Sequence, residues 1–435
     1  MHDIRVLREQ MDVLRGALDR RGALDGLVPV LERAEHLERE RRAMIQAVEE
    51  RKAARNQASQ EVARRKRNKE DADELIARAR DLGDEIATLE EELGGVEREL
   101  ERILHEIPNI TLPQVPAGGE DANRVVKEWG TPRRDAGLRP HWEIGEKLGI
   151  IDVERAAKVS GSGFVAYRGF GARLARSLLQ YFMNAHSEEH GYEEVWPPDL
   201  VNRASMTGTG QLPKFEDDAY AVKGDELFLI PTAEVPVTNL YRDEILEGSA
   251  LPMAFVAYSK CFRREAGSAG KDTRGVLRTH EFDKVELVRY STPEESAAEL
   301  ERLTGHAEVM LERLGLPYRR KLLAAGDTGF SSAMTYDLEA WAPGVGAWLE
   351  VSSCSNFTDF QARRANIRFR GAKGEKPRFV HTLNGSALAF PRTIACLLEH
   401  YQQPDGSVLV PEVLRPYLGV AVIPSREAAR NLHVV

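Results

Sequence analysis

The sequence predicts an α+β protein in two parts: a long antiparallel helical coiled coil near the N-terminus, then a domain of mixed helices and strands. Three observations carry this. Residues 25–106 contain no aromatic residue and are dense in Glu, Arg, Leu and Ala. Within them an apolar residue recurs at alternating spacings of four and three, the coiled-coil signature. Beyond about residue 110, aromatics, glycines and β-branched runs return together, as a sheet-containing core requires.

Composition bounds the rest. The chain has 435 residues, 42% apolar and 30% charged, enough for two or three domains at roughly 150 residues each. Sixty Lys and Arg against 69 Asp and Glu give a net charge of −9, which excludes a uniformly basic nucleic-acid binder but leaves room for a local basic patch. The opening MHDIRVLREQ has no apolar stretch of the secretory kind, and no apolar run is long enough to span a bilayer. No membrane partner is expected. Three cysteines, Cys261, Cys354 and Cys396, are too few for a disulfide framework and fit a reducing cytoplasm. With no Cys-x-x-Cys or His-Glu-x-x-His, no zinc is expected.

The first part occupies residues 1–110, with the coiled-coil arm at 25–106. Leu75, Ala79, Leu82, Ile86, Leu89, Leu93, Val96, Leu100 and Ile103 form one seam. Leu37, Met44, Val48, Ala58 and Val62 form another, interrupted by Arg41, Arg51 and Arg55. The polar stretch 63–73 between them predicts a turn, and two such helices fold back as a hairpin. A second helix of about 36 residues would be about 54 Å long and should project. Basic residues cluster toward the tip of the hairpin: Arg51, Lys52, Arg55, Arg64, Arg65, Lys66, Arg67 and Lys69, against Glu61 alone. Phosphate binding and a merely solvated coiled-coil surface both account for that run. The Pro- and Gly-rich 107–125 then reads as a linker.

The second part, 111–435, carries the chemistry. Residues 255–290 read as two strands joined by a Gly-rich polar loop. Period-two alternation groups Cys261, Arg263 and Glu265 on one strand, and Arg278, His280, Phe282, Lys284 and Glu286 on the other. That pattern suits a sheet floor under a ligand, and equally a solvated face of paired charges. The loop's GSAGKDT (267–273) fails as a phosphate-binding P-loop, because Glu265 stands where the first Gly belongs and Asp272 follows Lys271. Residues 347–364 open as a strand with Glu350, Ser352 and Ser353, hard oxygens of the kind that Mg²⁺ takes alongside phosphate, or an ordinary polar edge. Residues 379–402 read as a strand, a Gly turn and a helix with Pro391 and Arg392 in its first turn. An arginine there meets a phosphate or simply decorates the surface.

FRREAGSAGKDTRGVLRTHEFDKVE (262–286), NGSALAFPR (384–392) and GYEEVWPPDLV (191–201) resemble motifs 2, 3 and 1 of class II aminoacyl-tRNA synthetases, specifically the bacterial type of seryl-tRNA synthetase. PTAE (231–234), TGTGQLPKF (207–215) and LEVSSCSN (349–356) are similar to further segments of that family, and the arm looks like its tRNA-binding domain. The resemblance implies a catalytic domain on an antiparallel sheet flanked by helices, with motif 1 about 180–201, motif 2 about 253–290 and motif 3 about 380–402. It implies a ligase that activates L-serine with ATP and Mg²⁺ to seryl-adenylate, then passes the seryl group to tRNA(Ser), with tRNA(Sec) as a further acceptor left open.

On the matching positions the resemblance assigns roles. Arg263 would hold the ATP α-phosphate, and Arg264 and Glu265 complete that nucleotide segment, with Glu265 on the adenine amino group. Phe282 and Arg392 would stack on the two faces of adenine. Glu350, Val351, Ser352 and Ser353 would line the ATP site, with Glu350 and Ser353 carrying Mg²⁺. Arg263, Glu350 and Arg392 would be the catalytic set. Thr232, Ala233, Glu234, Glu286 and Ser386 would bind serine, with Glu286 facing its ammonium group. Arg51, Arg55, Arg64, Arg65, Lys66, Arg67 and Lys69 would bind tRNA. Pro198, in motif 1, implies a homodimer. Arg264 stands where many relatives have Ser. A carrier-protein ligase would lack the arm, and a non-enzymatic adaptor would lack Arg263 and Arg392; a self-resistance duplicate stays open. The cysteines have no base beside them in sequence and read as packing.

Overall fold

The computed structural model describes residues 1–265, 274–371 and 374–425. It divides into two units, Met1–Pro108 and Asn109–Val435.

The first unit is dominated by α1 (Leu24–Arg67) and α2 (Asp73–Leu104), of 44 and 32 residues. Every residue of the 75–103 seam is buried or half-buried. Two of the arginines that interrupt the other seam, Arg41 and Arg51, reach across it, as do Arg33 and Lys52. Arg33 meets Glu99, Arg41 meets Glu97 and Arg51 meets Glu85, each at 2.9 Å, while Lys52 meets Glu90 at 2.6 Å. Partners fall along α2 as residues rise along α1, so the helices run antiparallel. Exposed pairs of this kind contribute little stability and serve mainly to fix register. The turn is shorter than the expected 63–73, because α1 continues through Arg67 and leaves only 68–72 outside the helices. Arg64, Arg65, Lys66 and Arg67 occupy the last helical turn, where positive charge offsets the helix's negative end. Among the described residues no helix is long and apolar enough to cross a membrane.

The second unit is built on an eight-stranded sheet. Its strands are β1 (Arg124–Trp129), β2 (Glu193–Val195), β3 (Met253–Phe262), β4 (Glu281–Ser291), β5 (Tyr318–Leu322), β6 (Met334–Ala342), β7 (Ala347–Asn356) and β8 (His381–Ala389). The order is β1-β5-β6-β7-β8-β4-β3-β2. All neighbours are antiparallel except β2 beside β3, at the edge. Leu174, Leu178 and Phe182 of α3 (Phe170–Asn184), Leu303 and Met310 of α4 (Ser296–Arg313), and Ile394 and Leu398 of α5 (Phe390–Tyr401) cover one face, over Val256, Val285, Leu287 and Leu383. A second cluster, with Phe255, Val288 and Tyr290, covers part of the other face. What that cluster leaves uncovered is where polar side chains gather.

The expected Gly turn at 385 is absent: β8 runs straight through it to Ala389. A Cβ on Gly385 would lie 2.3 Å from Leu303 Cδ2 and 2.8 Å from Cys354 Sγ. The glycine therefore serves close packing within a strand.

One buried carboxylate ties the far ends of this unit together. Glu399 Oε1 accepts the His141 N–H at 2.8 Å and lies 2.7 Å from His141 Nδ1. Its Oε2 accepts from the N–H groups of Gly344 at 2.8 Å and Val345 at 3.0 Å. His141 Nε2 accepts the Val276 N–H at 3.2 Å, which puts the imidazole proton on Nδ1, toward Glu399. Glu399→Ala strands these buried donors, a loss of about 3–5 kcal/mol. The expected outcome is a thermal midpoint lower by on the order of 10 °C, read by differential scanning fluorimetry; an unchanged midpoint would mean that the network does not hold the fold.

Candidate active site

The hairpin of β3 and β4 sets the floor. Phe282, Lys284 and Glu286 stand opposite Cys261, Ser259 and Ala257, small residues that leave room above the large ones. On the other side of β4, Glu286 pairs with Ser386 of β8, and Val288 with Asn384. Paired residues of antiparallel strands share a face. So Phe282, Lys284, Glu286, Asn384 and Ser386 line one surface, and Val288 and Tyr290 continue it into the second core cluster.

At the closed end of that surface two carboxylates converge. Glu234, the first residue of a short helix (Glu234–Thr238), is buried, as is Glu286. The Asn384 amide donates to both, at 3.0 Å to Glu234 Oε2 and 2.9 Å to Glu286 Oε1. Gln361 Nε2 donates to Glu234 Oε1 at 2.6 Å, and Thr382 holds Gln361 in turn at 2.7 Å. Burial, and then the neighbouring charge of Glu286, push Glu234 up to about 7. Lys284 Nζ donates to Thr232 Oγ1 at 3.0 Å and lies 2.6 Å from Glu286 Oε2. Thr232 Oγ1 also accepts the Glu234 N–H at 3.2 Å. Ala233 is buried in the second cluster, so its side chain takes no part in the pocket.

At the open end the alternation expected from sequence stops early. β3 ends at Phe262 and β4 begins at Glu281. One further pair is joined by the Arg263 N–H donating to His280 O at 2.9 Å. Glu265 has φ +52°, a left-handed turn that takes it out of the strand alternation. It accepts a bond from Arg278 Nη1 at 2.8 Å. Glu265 and Arg278 thus meet each other beyond the strands. The Arg263 guanidinium lies over the Phe282 ring, 5.1 Å from its centroid, a cation–π contact. Arg264 N–H donates to Asp218 O. GSAGKDT (267–273) lies outside the described residues.

A third group comes from β7. Asp337 pairs with Ser353 and Glu339 with Glu350, with a bulge between. Strict alternation would separate Glu350 from Ser353; the extra residue, Val351, brings them to one face, as bulges beside active sites do. Val351 itself packs into the main core, and Ser352 Oγ donates to Ser386 O at 2.6 Å. Asp337 is buried, one of its oxygens lacks a partner, and burial with the Glu350 charge raises it well above the usual carboxylate range despite a bond from Ser353. Hard oxygens with an unsatisfied buried carboxylate beside them suit a divalent cation. Arg392, in the first turn of α5, donates to Glu350 O at 2.8 Å and Leu277 O at 3.2 Å, and lies 3.4 Å from Glu350 Oε2. The three cysteines are buried thiols, and burial raises all three pKa values, Cys354 to about 12. They are inert packing groups.

Sequence reasoning gave no role to Asn384, Gln361 or Asp337. Asn384 was within reach, two residues before Ser386 on one strand face. Gln361 and Asp337 join the site only through pairing and packing distant in sequence. In the arm, Arg51 is paired with Glu85, and Arg64 and Arg65 with Glu61 at 2.6 and 3.3 Å. Arg55 is half-buried, while Lys66, Arg67 and Lys69 are exposed.

The family model for the seryl-tRNA synthetase N-terminal domain matches residues 1–111, and that for the class II tRNA synthetase core domain (G, H, P, S and T) matches residues 214–401. A serine–tRNA ligase of Gemmatimonas aurantiaca is 65% identical over 97% of this chain and 100% of its own length. One from Geobacillus kaustophilus is 55% identical over 96% of this chain and 99% of its own. Among solved structures, a Pyrococcus horikoshii seryl-tRNA synthetase complexed with ATP superposes with a TM-score of 0.93 at 38% identity, over 98% of this chain and 100% of that one. With arm, sheet and charged floor matched along nearly its whole length, the chain belongs to the seryl-tRNA synthetase family.

Proposed function

We propose that this chain is a serine–tRNA ligase whose two chemical steps take place on the sheet face between Glu286 and Arg392. The observation that carries the reading is the pair of buried carboxylates, Glu234 and Glu286, joined by Asn384. That pocket suits a small ammonium-bearing substrate. The serine–tRNA ligases of similar sequence support the substrate, and the ATP-bound neighbour supports the nucleotide.

In the first step a carboxylate oxygen of serine attacks the α-phosphorus. The new P–O bond forms as the bond to the bridging oxygen breaks, and pyrophosphate leaves. Such transfer needs positioning and charge stabilisation more than a general base. Arg263 meets the charge on the α-phosphate, Phe282 and Arg392 sandwich the adenine, and Glu265 turns from Arg278 to accept from the adenine amino group. Arg264 flanks that segment. Mg²⁺, arriving with ATP, neutralises phosphate charge and would be held by Glu350 and Ser353, with Asp337 beside them. In the second step the terminal ribose hydroxyl of tRNA attacks the acyl carbon, AMP leaves with the C–O electron pair, and the hydroxyl proton passes to the released phosphate. Thr232, Glu234 and Glu286 cradle serine, with Ser386 alongside. A pocket that hydrogen-bonds the substrate hydroxyl rejects analogues lacking it by roughly 10⁴-fold.

The arm reads the outer shape of tRNA(Ser) through phosphates and sugars, with Lys66, Arg67 and Lys69 leading and Arg51, Arg55, Arg64 and Arg65 behind them. The enzyme works as a cytoplasmic homodimer. Trp196, 72% exposed just after the edge strand β2, supports a partner surface there.

Arg263→Ala should lower serine-dependent pyrophosphate exchange by about 10²–10³-fold, the cost of one transition-state contact. Activity close to wild type would remove Arg263 from the phosphate site. Glu286→Gln keeps shape but loses charge, and the Michaelis constant for serine should rise while that for ATP holds; the reverse pattern would move Glu286 to the nucleotide. Trimming residues 45–90 to a short turn should spare serine activation and cut tRNA charging by orders of magnitude. Neutralising Arg64, Arg65, Lys66 and Arg67 together should give a milder loss and a flatter salt dependence of tRNA binding. Unchanged charging by the trimmed chain would dismiss the arm.

A further inference from the structure

The pocket holds a buried cation to which no role has been given. Lys284 is 5% exposed and Glu286 is fully buried. The Lys284 ammonium touches two of the groups assigned to serine: it donates to Thr232 Oγ1 at 3.0 Å and sits 2.6 Å from Glu286 Oε2. Glu286 Oε1 is held from the other side by Asn384, which also holds Glu234. Two carboxylates on one amide make a like-charge pair that cannot both stay ionised in a buried site without a cation. Arg263 also faces Glu234, but from an exposed position. Lys284 is thus the buried positive charge in contact with the pair among the described residues.

We propose that Lys284 is a positioning residue for serine: it holds the Thr232 hydroxyl in place, aims the Glu286 carboxylate at the substrate ammonium, and balances one of the two carboxylate charges. The inference rests on the cradle reading above and adds a charge balance to it. With the pocket empty, Lys284 offsets one carboxylate and a proton offsets the other. When serine enters, its ammonium takes the place of that proton, which leaves to solvent. The groups facing Glu234 are Glu286 and Lys284 from β4, Asn384 from β8, Gln361 from the helix Phe360–Arg364, and Arg263. Glu234 is raised toward neutrality, so it gives up its proton as pH rises through about 7. Serine binding to the wild type is therefore expected to tighten across that range and to weaken below it.

The test is the Lys284→Met variant of the full chain, followed by pyrophosphate exchange from pH 6 to 9. Without the ammonium the paired carboxylates hold their proton more firmly. The Michaelis constant for serine should rise by about tenfold at pH 7, the scale of one charge-assisted contact. Its pH profile should move to higher pH, so that alkaline conditions restore much of the loss, and the constant for ATP should stay near wild type. A rise shared equally by serine and ATP, or a serine rise with an unmoved pH profile, would reduce Lys284 to a packing role and overturn the proposal. If the Met variant does not fold, Lys284→Gln, a donor without charge, must show the same shifted profile. Glu286→Gln distinguishes the layers. Unchanged serine binding there would end the cradle reading itself, whereas a serine-specific loss there with an unmoved Lys284 profile would end only the charge balance.

Discussion

A carboxylate taken out of water needs partners, and the catalytic unit is arranged around that requirement. Glu234 and Glu286 lie at the inner end of a polar sheet face, where Val288 and Tyr290 pass into packed core. They are held from different elements: Asn384 of β8 and Gln361 of the Phe360–Arg364 helix donate to them, and the Lys284 ammonium of β4 lies beside Glu286 Oε2. Those donors fix where the strands must sit. The small residues Ala257 and Ser259 opposite Glu286 and Lys284 leave a pocket on that face, while on the opposite face Gly385 lets Leu303 pack closely against the sheet.

The end of the sheet face proposed for the nucleotide is organised by a single helix. Near its start, Arg392 of α5 holds the carbonyls of Glu350 and Leu277. Two helical turns later, Glu399 anchors His141, and through it the N–H of Val276. One helix thus fixes residues 276–277, ahead of β4, and the Glu350 stretch of β7 together. A disturbance at the buried Glu399 would reach the proposed nucleotide site through backbone position, without touching substrate.

The two long helices were legible because their seam repeats over about four heptads, and a period so sustained admits few other folds. The β3–β4 hairpin was legible for the same kind of reason, since alternation put Phe282, Lys284 and Glu286 together. What the sequence hid was long-range. The bulge at Val351 that unites Glu350 with Ser353 depends on register against β6, and nothing local announces it. Gly385 looked like a turn, because a glycine needed for its missing side chain reads the same as one needed for its backbone freedom. The extra helical turn at Arg64–Arg67 was masked by polar residues that resemble a loop, although their charge suits a helix C-terminus.

The most direct test of the account is a crystal structure of the chain with a non-hydrolysable seryl-adenylate analogue. The account requires the seryl ammonium within hydrogen-bond distance of Glu286, with adenine between Phe282 and Arg392. It also requires Arg263 at the phosphate position. An analogue whose ammonium does not touch Glu286, or whose adenine lies away from Phe282, would contradict it.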